Sequence, residues 1–278
     1  MNPLSLASWA IRQKRKIHIE RLAFDLWRRS GLKQWARRGI LKAKPLFNLP
    51  SVEAAVEGRK GIEIGGPSPV FSPGDVVPIY AKVGHLDVCN FGPETMWEGK
   101  LHDGAEFTFL KGRPAGRQLL REATDLKGVA GDAYDFVLSS HCLEHVANPL
   151  KALEEWRRII RPGGHLLLIV PHPHHTFDHR RPVTPFEHLL EDFDAGVGED
   201  DLTHLEEILT LHDFARDPWA KSPAHFEKRS RDNVNNRGMH HHVFTPQLVK
   251  QCMQWAGLTT AFVEDIGNLH IVALGSKA

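Results

Sequence analysis

The chain has 278 residues, of which 41% are hydrophobic and 25% are charged, and its formal net charge is +1. This is the composition of a soluble globular protein, and the length allows one large domain or a domain with an appendage. Three widely spaced cysteines lack a CxxC pair, no apolar run approaches membrane-spanning length and no secretory signal is recognisable, so we expect a cytoplasmic enzyme without disulfides.

The first predicted element is a basic appendage, residues 1–50. Its first 45 residues hold twelve lysines and arginines against two acidic residues, so the rest of the chain is net negative. Apolar residues recur at helical spacing from Ile19 to Trp27, which predicts one or two amphipathic helices within 14–41. We expect these helices to pack on the acidic body or on a homodimer partner. A lid over a cofactor and docking to a membrane surface or an anionic glycan are alternatives, and nucleic acid is not favoured.

The remaining residues, 51–278, are predicted to form one α/β domain. Short apolar runs alternate with helical periodicity in its first half, which is typical of βα units around a parallel sheet. Two later apolar runs, separated by a short Gly-Asn turn, fit antiparallel strands. The seven strands are predicted at about 60–64, 83–88, 117–122, 134–139, 165–170, 259–264 and 269–274.

The first strand leads into a glycine-rich turn within KGIEIGGPSPVF, residues 60–71. Gly65 and Gly66 allow a close backbone approach to a ligand and a positive φ in the turn. The spacing is not that of the dinucleotide-binding G-x-G-x-x-G pattern, and two prolines in the turn lack N–H donors. Asp87 is predicted to end the second strand, where a carboxylate can accept hydrogen bonds from both ribose hydroxyls.

Residues 132–171 contain the strongest local pattern. An apolar run from Tyr134 is followed by Asn148 and Pro149, a helix cap and a first-turn proline, and then by apolar residues at helical spacing. A Pro-Gly-Gly turn is predicted to stop the helix, and the apolar run after it indicates a buried strand. This order predicts a βαβ unit and therefore a parallel sheet.

The turn after the first strand, combined with "YDFV", "SSHCLEHV", "IRPGG" and "LLLIVP", resembles a class I S-adenosylmethionine (SAM)-dependent methyltransferase over residues 60–172. The resemblance implies a Rossmann-like, seven-stranded, mostly parallel sheet with helices on both faces, and SAM as cofactor. The family's usual Glu/Asp-x-Gly-x-Gly-x-Gly loop is altered here at its last two glycine positions. The residues that the resemblance places around SAM are Glu63, Gly65, Gly66, Asp87, Glu122, Ala123, Ser140, His141 and His145.

Residues 171–245 break the alternation of strands and helices and form a long polar insertion. We predict one helix within 202–214 and loop elsewhere. An insertion after the fifth strand lies above the carboxyl ends of the sheet, where open α/β folds bind ligands, so we interpret it as the substrate-recognition region.

Two segments of this insertion, HHTFDHRRPVTPFEHLLEDF and HHHVFTP, resemble those of uncharacterised methyltransferases near bacterial polysaccharide genes. The resemblance implies substrate contacts by His174, Asp178, Arg181 and His188. The alternative is a buried network of arginine and aspartate that braces a long loop.

The histidines of the insertion have three interpretations. Most of them form local hydrogen bonds in a polar region. One or two act as a general base toward an alcohol hydroxyl, with His242 and His240 as candidates and His141 beside the sulfonium. The third interpretation is a divalent metal site, which is not favoured because fixed ligand spacing is absent, with ligands among His172, His174, Asp178, His240 and His242.

The sequence therefore predicts a SAM-dependent methyltransferase that acts on a small-molecule or glycan acceptor, with a hydroxyl favoured. SAM carries its own electrophile, so no covalent nucleophile is required of the protein. One alternative is a SAM-consuming enzyme that cyclises or eliminates the aminobutyrate arm and releases methylthioadenosine, which the altered glycine loop motivates. The other is a non-catalytic scaffold with a SAM-binding fold.

Overall fold

The computed structural model describes residues 46–217, 220–266 and 269–278. The amphipathic helices within 14–41 lie outside the described residues, and their packing stays a prediction. Residues Pro45–Ala278 form one compact unit. Within the described ranges, no helix has the length and apolar character needed to cross a membrane.

A mixed sheet forms the centre of this unit. Its strands and a separate short hairpin, β3–β4, have the following bounds: β1 Lys60–Ile64, β2 His85–Asn90, β3 Glu94–Thr95, β4 Gly99–Lys100, β5 Glu106–Phe107, β6 Gly116–Leu120, β7 Tyr134–Ser140, β8 Ile160–Pro171, β9 Leu258–Ile266 and β10 His270–Lys277. The strand order in the sheet is β5-β6-β2-β1-β7-β8-β10-β9. The five neighbouring strands β6-β2-β1-β7-β8 pair in parallel. Strand β10 pairs antiparallel with both β8 and β9.

The strand order reverses beside β1. The chain proceeds from β1 to β2 and β6 on one side and then returns to β7 and β8 on the other side. In open α/β sheets, ligands bind in the crevice at the carboxyl ends of the strands at such a reversal. The predicted seven strands are all present, and the two-residue edge strand β5 is an eighth that is too short to leave a sequence pattern.

Helices cover both faces of the sheet, and four of those described here lie in the insertion. They are α1 Leu49–Val56, α2 Pro149–Ile159, α3 Phe186–Ala195, α4 Leu205–Leu211, α5 Pro223–Arg231, α6 Asn233–Asn236 and α7 Pro246–Trp255, with 3-10 turns at Pro69–Phe71, Leu143–His145 and Pro173–His175. The side chain of Asn148 caps α2 by accepting from Lys151 N at 3.1 Å, as predicted. The helix ends at Ile159, before the Pro-Gly-Gly turn.

Two apolar layers enclose the sheet. On one face, Trp156 of α2 and Val249 of α7 pack with Val137 of β7. On the other face, Phe136 and Leu138, the neighbours of Val137, pack with residues of α1 and of the segment between β1 and β2. Alternate residues of β7 are therefore buried on opposite faces, as expected for the central strand of a parallel sheet.

The insertion is more helical than predicted. The helix expected within 202–214 is present as α4, but α3, α5 and α6 lie where loop was predicted. In α3, Phe186, Leu190 and Phe193 pack against the core around fully buried Leu189. That apolar spacing is helical, and the surrounding acidic and histidine residues obscured it.

Replacing Asn148 with Ala should lower the free energy of unfolding by about 1–2 kcal/mol, since the cap of α2 is lost. The change also removes the hydrogen bond from Asn148 Nδ2 to Asp192 O, which is 2.9 Å long. Urea unfolding of both chains measures the difference. The matched control is Glu154→Ala, an exposed position of the same helix, and equal stability of the two variants would contradict the capping role.

Candidate active site

The glycine-rich turn leaves the carboxyl end of β1 at Gly65, beside the residues that follow β7. Gly65 has a φ of +80°, and a Cβ there would lie 2.8 Å from Cys142 Sγ. A Cβ on Gly66 would lie 2.3 Å from Cδ of Glu63. Both positions require glycine, one for its left-handed backbone and the other for lack of space. The turn thus exposes backbone to which a ligand can come close.

Glu63 supports this turn from beneath. Its Oε1 accepts a hydrogen bond from Ser68 N at 2.8 Å, and its Oε2 accepts one from the hydroxyl of Tyr80 at 2.5 Å. Burial, partly offset by these hydrogen bonds, raises the pKa of Glu63 to about 7. Ser68 Oγ also donates to Ser140 O at 3.4 Å, which joins the turn to the end of β7. Tyr80 has no motif in the sequence that would have revealed this role.

Asp87 does not lie at the carboxyl end of β2, where the ribose-binding carboxylate was predicted. It pairs with Ile62 in the middle of β1, three residues before β2 ends. Its carboxylate accepts from Arg117 N at 2.8 Å and from the Tyr134 hydroxyl at 2.9 Å. It lines a cleft with Lys60, the first residue of β1, at the amino edge of the sheet. The cause is that β2 ends two residues later than predicted.

Asn90 occupies the place that Asp87 was expected to take. It is the last residue of β2, and its Nδ2 donates to Gly66 O at 2.9 Å. An acidic residue at this point of a nucleotide-binding sheet accepts from ribose hydroxyls, and an amide side chain can both accept and donate. Asn90 was not among the predicted site residues, although a polar residue at the end of an apolar run is the signal that marks it.

Glu122 and Ala123 follow β6 at the same edge. Glu122 Oε1 lies 2.6 Å from Nη2 of Arg237, a residue of the insertion. The guanidinium of Arg237 also stands 5.1 Å from the ring of Phe91, which directly follows β2. Ala123 O accepts from Nε1 of Trp156 at 2.9 Å. Through Arg237, the insertion therefore contacts the carboxyl edge of the sheet on the side where the adenine of SAM is expected. No local sequence pattern indicated this contact.

A group of titratable side chains lies beyond the carboxyl end of β7, and we call His141, Glu144, His145, His240 and His270 the central cluster. His141 Nε2 lies 2.8 Å from His270 Nδ1, and His141 Nδ1 lies 3.5 Å from Glu144 Oε1. The ring of His145 is 4.5 Å from that of His240, and its Nδ1 is 3.1 Å from Met239 O. Burial, followed by the charge of His240, lowers the pKa of His145 to about 3.

His240 is paired with a buried carboxylate. Its Nδ1 lies 2.5 Å from Asp178 Oδ2. Arg181 braces this pair: its Nη1 donates to Asp178 Oδ1 at 3.1 Å and to His240 O at 2.8 Å, and its Nη2 donates to His241 O at 2.9 Å. Its Nε donates to Glu207 at 2.7 Å. Arg181 is buried and four of its five N–H donors bind groups of the chain itself, which is the arrangement of the bracing network that the sequence analysis gave as the alternative to substrate binding.

His242 and His188 lie apart from His240, in a second group. We call His188, Asp192, His204 and His242 the lateral cluster. The Nε2 atoms of His188 and His204 are 3.0 Å apart, and Nε2 of His242 lies 3.1 Å from Ala147 O. Burial holds the pKa of His242 well below its ordinary value.

The remaining predicted positions are more dispersed. His174 is exposed, and its ring stands 5.1 Å from that of His172. In the described part of the chain, the groups whose potential ligand atoms lie within 4.8 Å of one another are the lateral cluster and Glu144 with His145 and His240. The five-residue metal set considered from the sequence is therefore not assembled as one group.

The strand order, the glycine turn at the reversal and the acidic residue after β6 define a class I SAM-dependent methyltransferase, and they fit SAM as cofactor. The chain belongs to the family described as "Methyltransferase domain", which matches residues 35–261. No curated protein matches the chain.

The chain is similar, at low sequence identity, to solved structures of SAM-dependent methyltransferases. A SAM-dependent methyltransferase from Aquifex aeolicus is 14% identical, with a TM-score of 0.44, over 84% of this chain and 91% of its own. A SAM-dependent methyltransferase from Methanosarcina mazei is 12% identical, with a TM-score of 0.46, over 84% and 98% of the two chains.

We predict that Asn90→Ala weakens SAM binding about fivefold to tenfold, since one net hydrogen bond contributes about 1 kcal/mol. Isothermal titration calorimetry with SAM measures the change. The control is Asp87→Asn, which should keep the affinity for SAM because Asp87 lies at the opposite edge. The assignment fails if Asp87→Asn loses SAM binding while Asn90→Ala retains it.

Proposed function

We propose that this methyltransferase methylates a hydroxyl group of a small-molecule or glycan acceptor, with His240 as the general base. The observation that supports this is the buried pair of Asp178 and His240 beside the carboxyl end of β7. A carboxylate on Nδ1 holds an imidazole in one tautomer and leaves Nε2 to accept a proton.

The chemistry divides between cofactor and protein. SAM supplies the electrophilic methyl group when it is bound. The chain must then hold the acceptor hydroxyl in line and remove its proton as the new bond forms, which positioned imidazoles do well. His240 lies beside His145 and Glu144, so a proton taken at Nε2 enters a buried polar cluster and not bulk solvent. His242, which the sequence offered as the other base, lies in the lateral cluster and is not proposed for this step.

The surroundings of the central cluster favour an amphipathic acceptor. Trp97, in the β3–β4 hairpin, is 42% exposed, and its ring stands 5.3 Å from that of His145. Met96 beside it is 40% exposed. Apolar surface next to a few convergent polar groups is typical of small-molecule sites, and an aromatic ring can cover one face of a sugar.

The altered glycine loop does not favour the alternative of cyclisation or elimination of the aminobutyrate arm. The amide and hydroxyl of Ser68, which stands between the two prolines, bind Glu63 and Ser140. The turn thus lacks two of the family's glycines, but hydrogen bonds from Ser68 hold it in place.

His240→Gln should lower kcat by about 100-fold or more, because general base catalysis contributes about that factor. The assay is formation of S-adenosylhomocysteine from SAM with a panel of sugars, oligosaccharides and small alcohols. His102→Gln, an exposed histidine, serves as the control. Methylthioadenosine released from SAM without an acceptor would contradict methyl transfer as the reaction. Full activity of His240→Gln would contradict the assignment of the base.

The pH dependence gives a separate test of the pair. Burial lowers the pKa of His240, but the charge and hydrogen bond of Asp178 outweigh it, so the pKa is raised. A base works only when it is deprotonated, so kcat/KM should rise with pH through this raised pKa. In Asp178→Asn the rate should be lower and the acidic limb should move to lower pH. An unchanged limb in Asp178→Asn would show that another group titrates.

A further inference from the structure

Four side chains of the insertion point their ligand atoms at one place, outside the central cluster. His188 and Asp192 stand one turn apart on α3, His204 precedes α4, and His242 follows the histidine pair near the end of the insertion. One ligand atom from each lies within 4.8 Å of those of the other three. A spacing of four residues places two side chains on the same face of a helix.

The distances match those around a small tetrahedral ion. Nε2 of His188 lies 3.0 Å from Nε2 of His204 and 3.4 Å from Oδ2 of Asp192. Ligands about 2.0–2.1 Å from a tetrahedral Zn²⁺ lie about 3.3 Å from each other.

The surroundings of His242 are those of a metal ligand. The side chain is buried and its Nε2 lies 3.1 Å from the carbonyl oxygen of Ala147. Its Nδ1, the nitrogen left to bind an ion, has no hydrogen-bond partner in the part of the chain that the structure describes. Imidazoles that bind metals commonly hold a backbone carbonyl with the other nitrogen. The backbone around Asp192 is also fixed, because its carbonyl accepts from Asn148.

We propose that His188, Asp192, His204 and His242 bind one divalent transition-metal ion of the zinc class. Three imidazoles and one carboxylate, without thiolates, suit Zn²⁺ and its neighbours better than Mg²⁺ or Ca²⁺, which prefer oxygen ligands. Four protein ligands fill a tetrahedral site, which is the arrangement of structural zinc.

Such an ion joins two neighbouring helices to a segment much further along the chain. It fastens α3 and the start of α4 to the segment that carries His240, two residues before His242. The ion therefore stabilises the insertion and keeps the proposed base in position without taking part in the methyl transfer.

The test uses the untagged full-length chain, since a histidine tag would bind metal itself. Metal content after purification without chelators should be one equivalent per chain. After removal of the metal, added Zn²⁺ should raise Tm, and added Co²⁺ should give the strong visible absorption of a tetrahedral site.

His188→Gln and His204→Gln should each weaken Zn²⁺ binding by about 100-fold or more. Two controls should retain it: His102→Gln, an exposed position, and His240→Gln in the central cluster. Substoichiometric metal and no Co²⁺ absorption in the wild-type chain would overturn the proposal, even if the variants fail to fold. Loss of the ion in His240→Gln with retention in His188→Gln would do the same.

Discussion

The buried guanidinium of Arg181 is the interaction on which the arrangement of the site depends. It neutralises Asp178, pairs with Glu207 and donates to the backbone carbonyls of His240 and His241. A buried carboxylate without a partner costs several kcal/mol, and here His240 and Arg181 together offset the burial of Asp178 and hold its pKa below the ordinary value. Arg181 thus contributes both to the burial of the proposed catalytic pair and to the path of the backbone around it.

Local sequence patterns predict the order of strands, helices and turns well, but they predict the ends of the strands poorly. The cap at Asn148, the βαβ unit around α2 and the turn at Gly65 are encoded within a few residues, so they can be recognised directly. The second strand was placed two residues early, because a strand buried on both faces has no polar alternation to mark its register. That shift alone explains why Asp87, and not Asn90, was predicted to stand at the carboxyl end of β2.

The candidate site was less predictable, since its contacts join residues that are far apart in sequence. Asp178 and His240 are separated by 62 positions, and Glu122 and Arg237 by 115. Three consecutive histidines also have three different surroundings: His240 contacts Asp178, His241 contacts Asn233, and His242 belongs to the lateral cluster. Composition shows that histidines are abundant, but only the path of the backbone decides which of them lie in the central cluster and which in the lateral cluster. A further local signal that was missed is the spacing of His188 and Asp192 on α3.

The antiparallel strand β10 has a consequence for the order in which the molecule can assemble. β8 leads directly into the insertion, yet its outer neighbour β10 is made of residues 270–277. During synthesis, the edge of β8 stays without a partner until the whole insertion and α7 have been translated. Pairing over such a long separation makes folding slow, and an open strand edge favours association with other chains. The sheet beside the candidate active site is therefore closed only after the insertion, α7 and β9 have been synthesised.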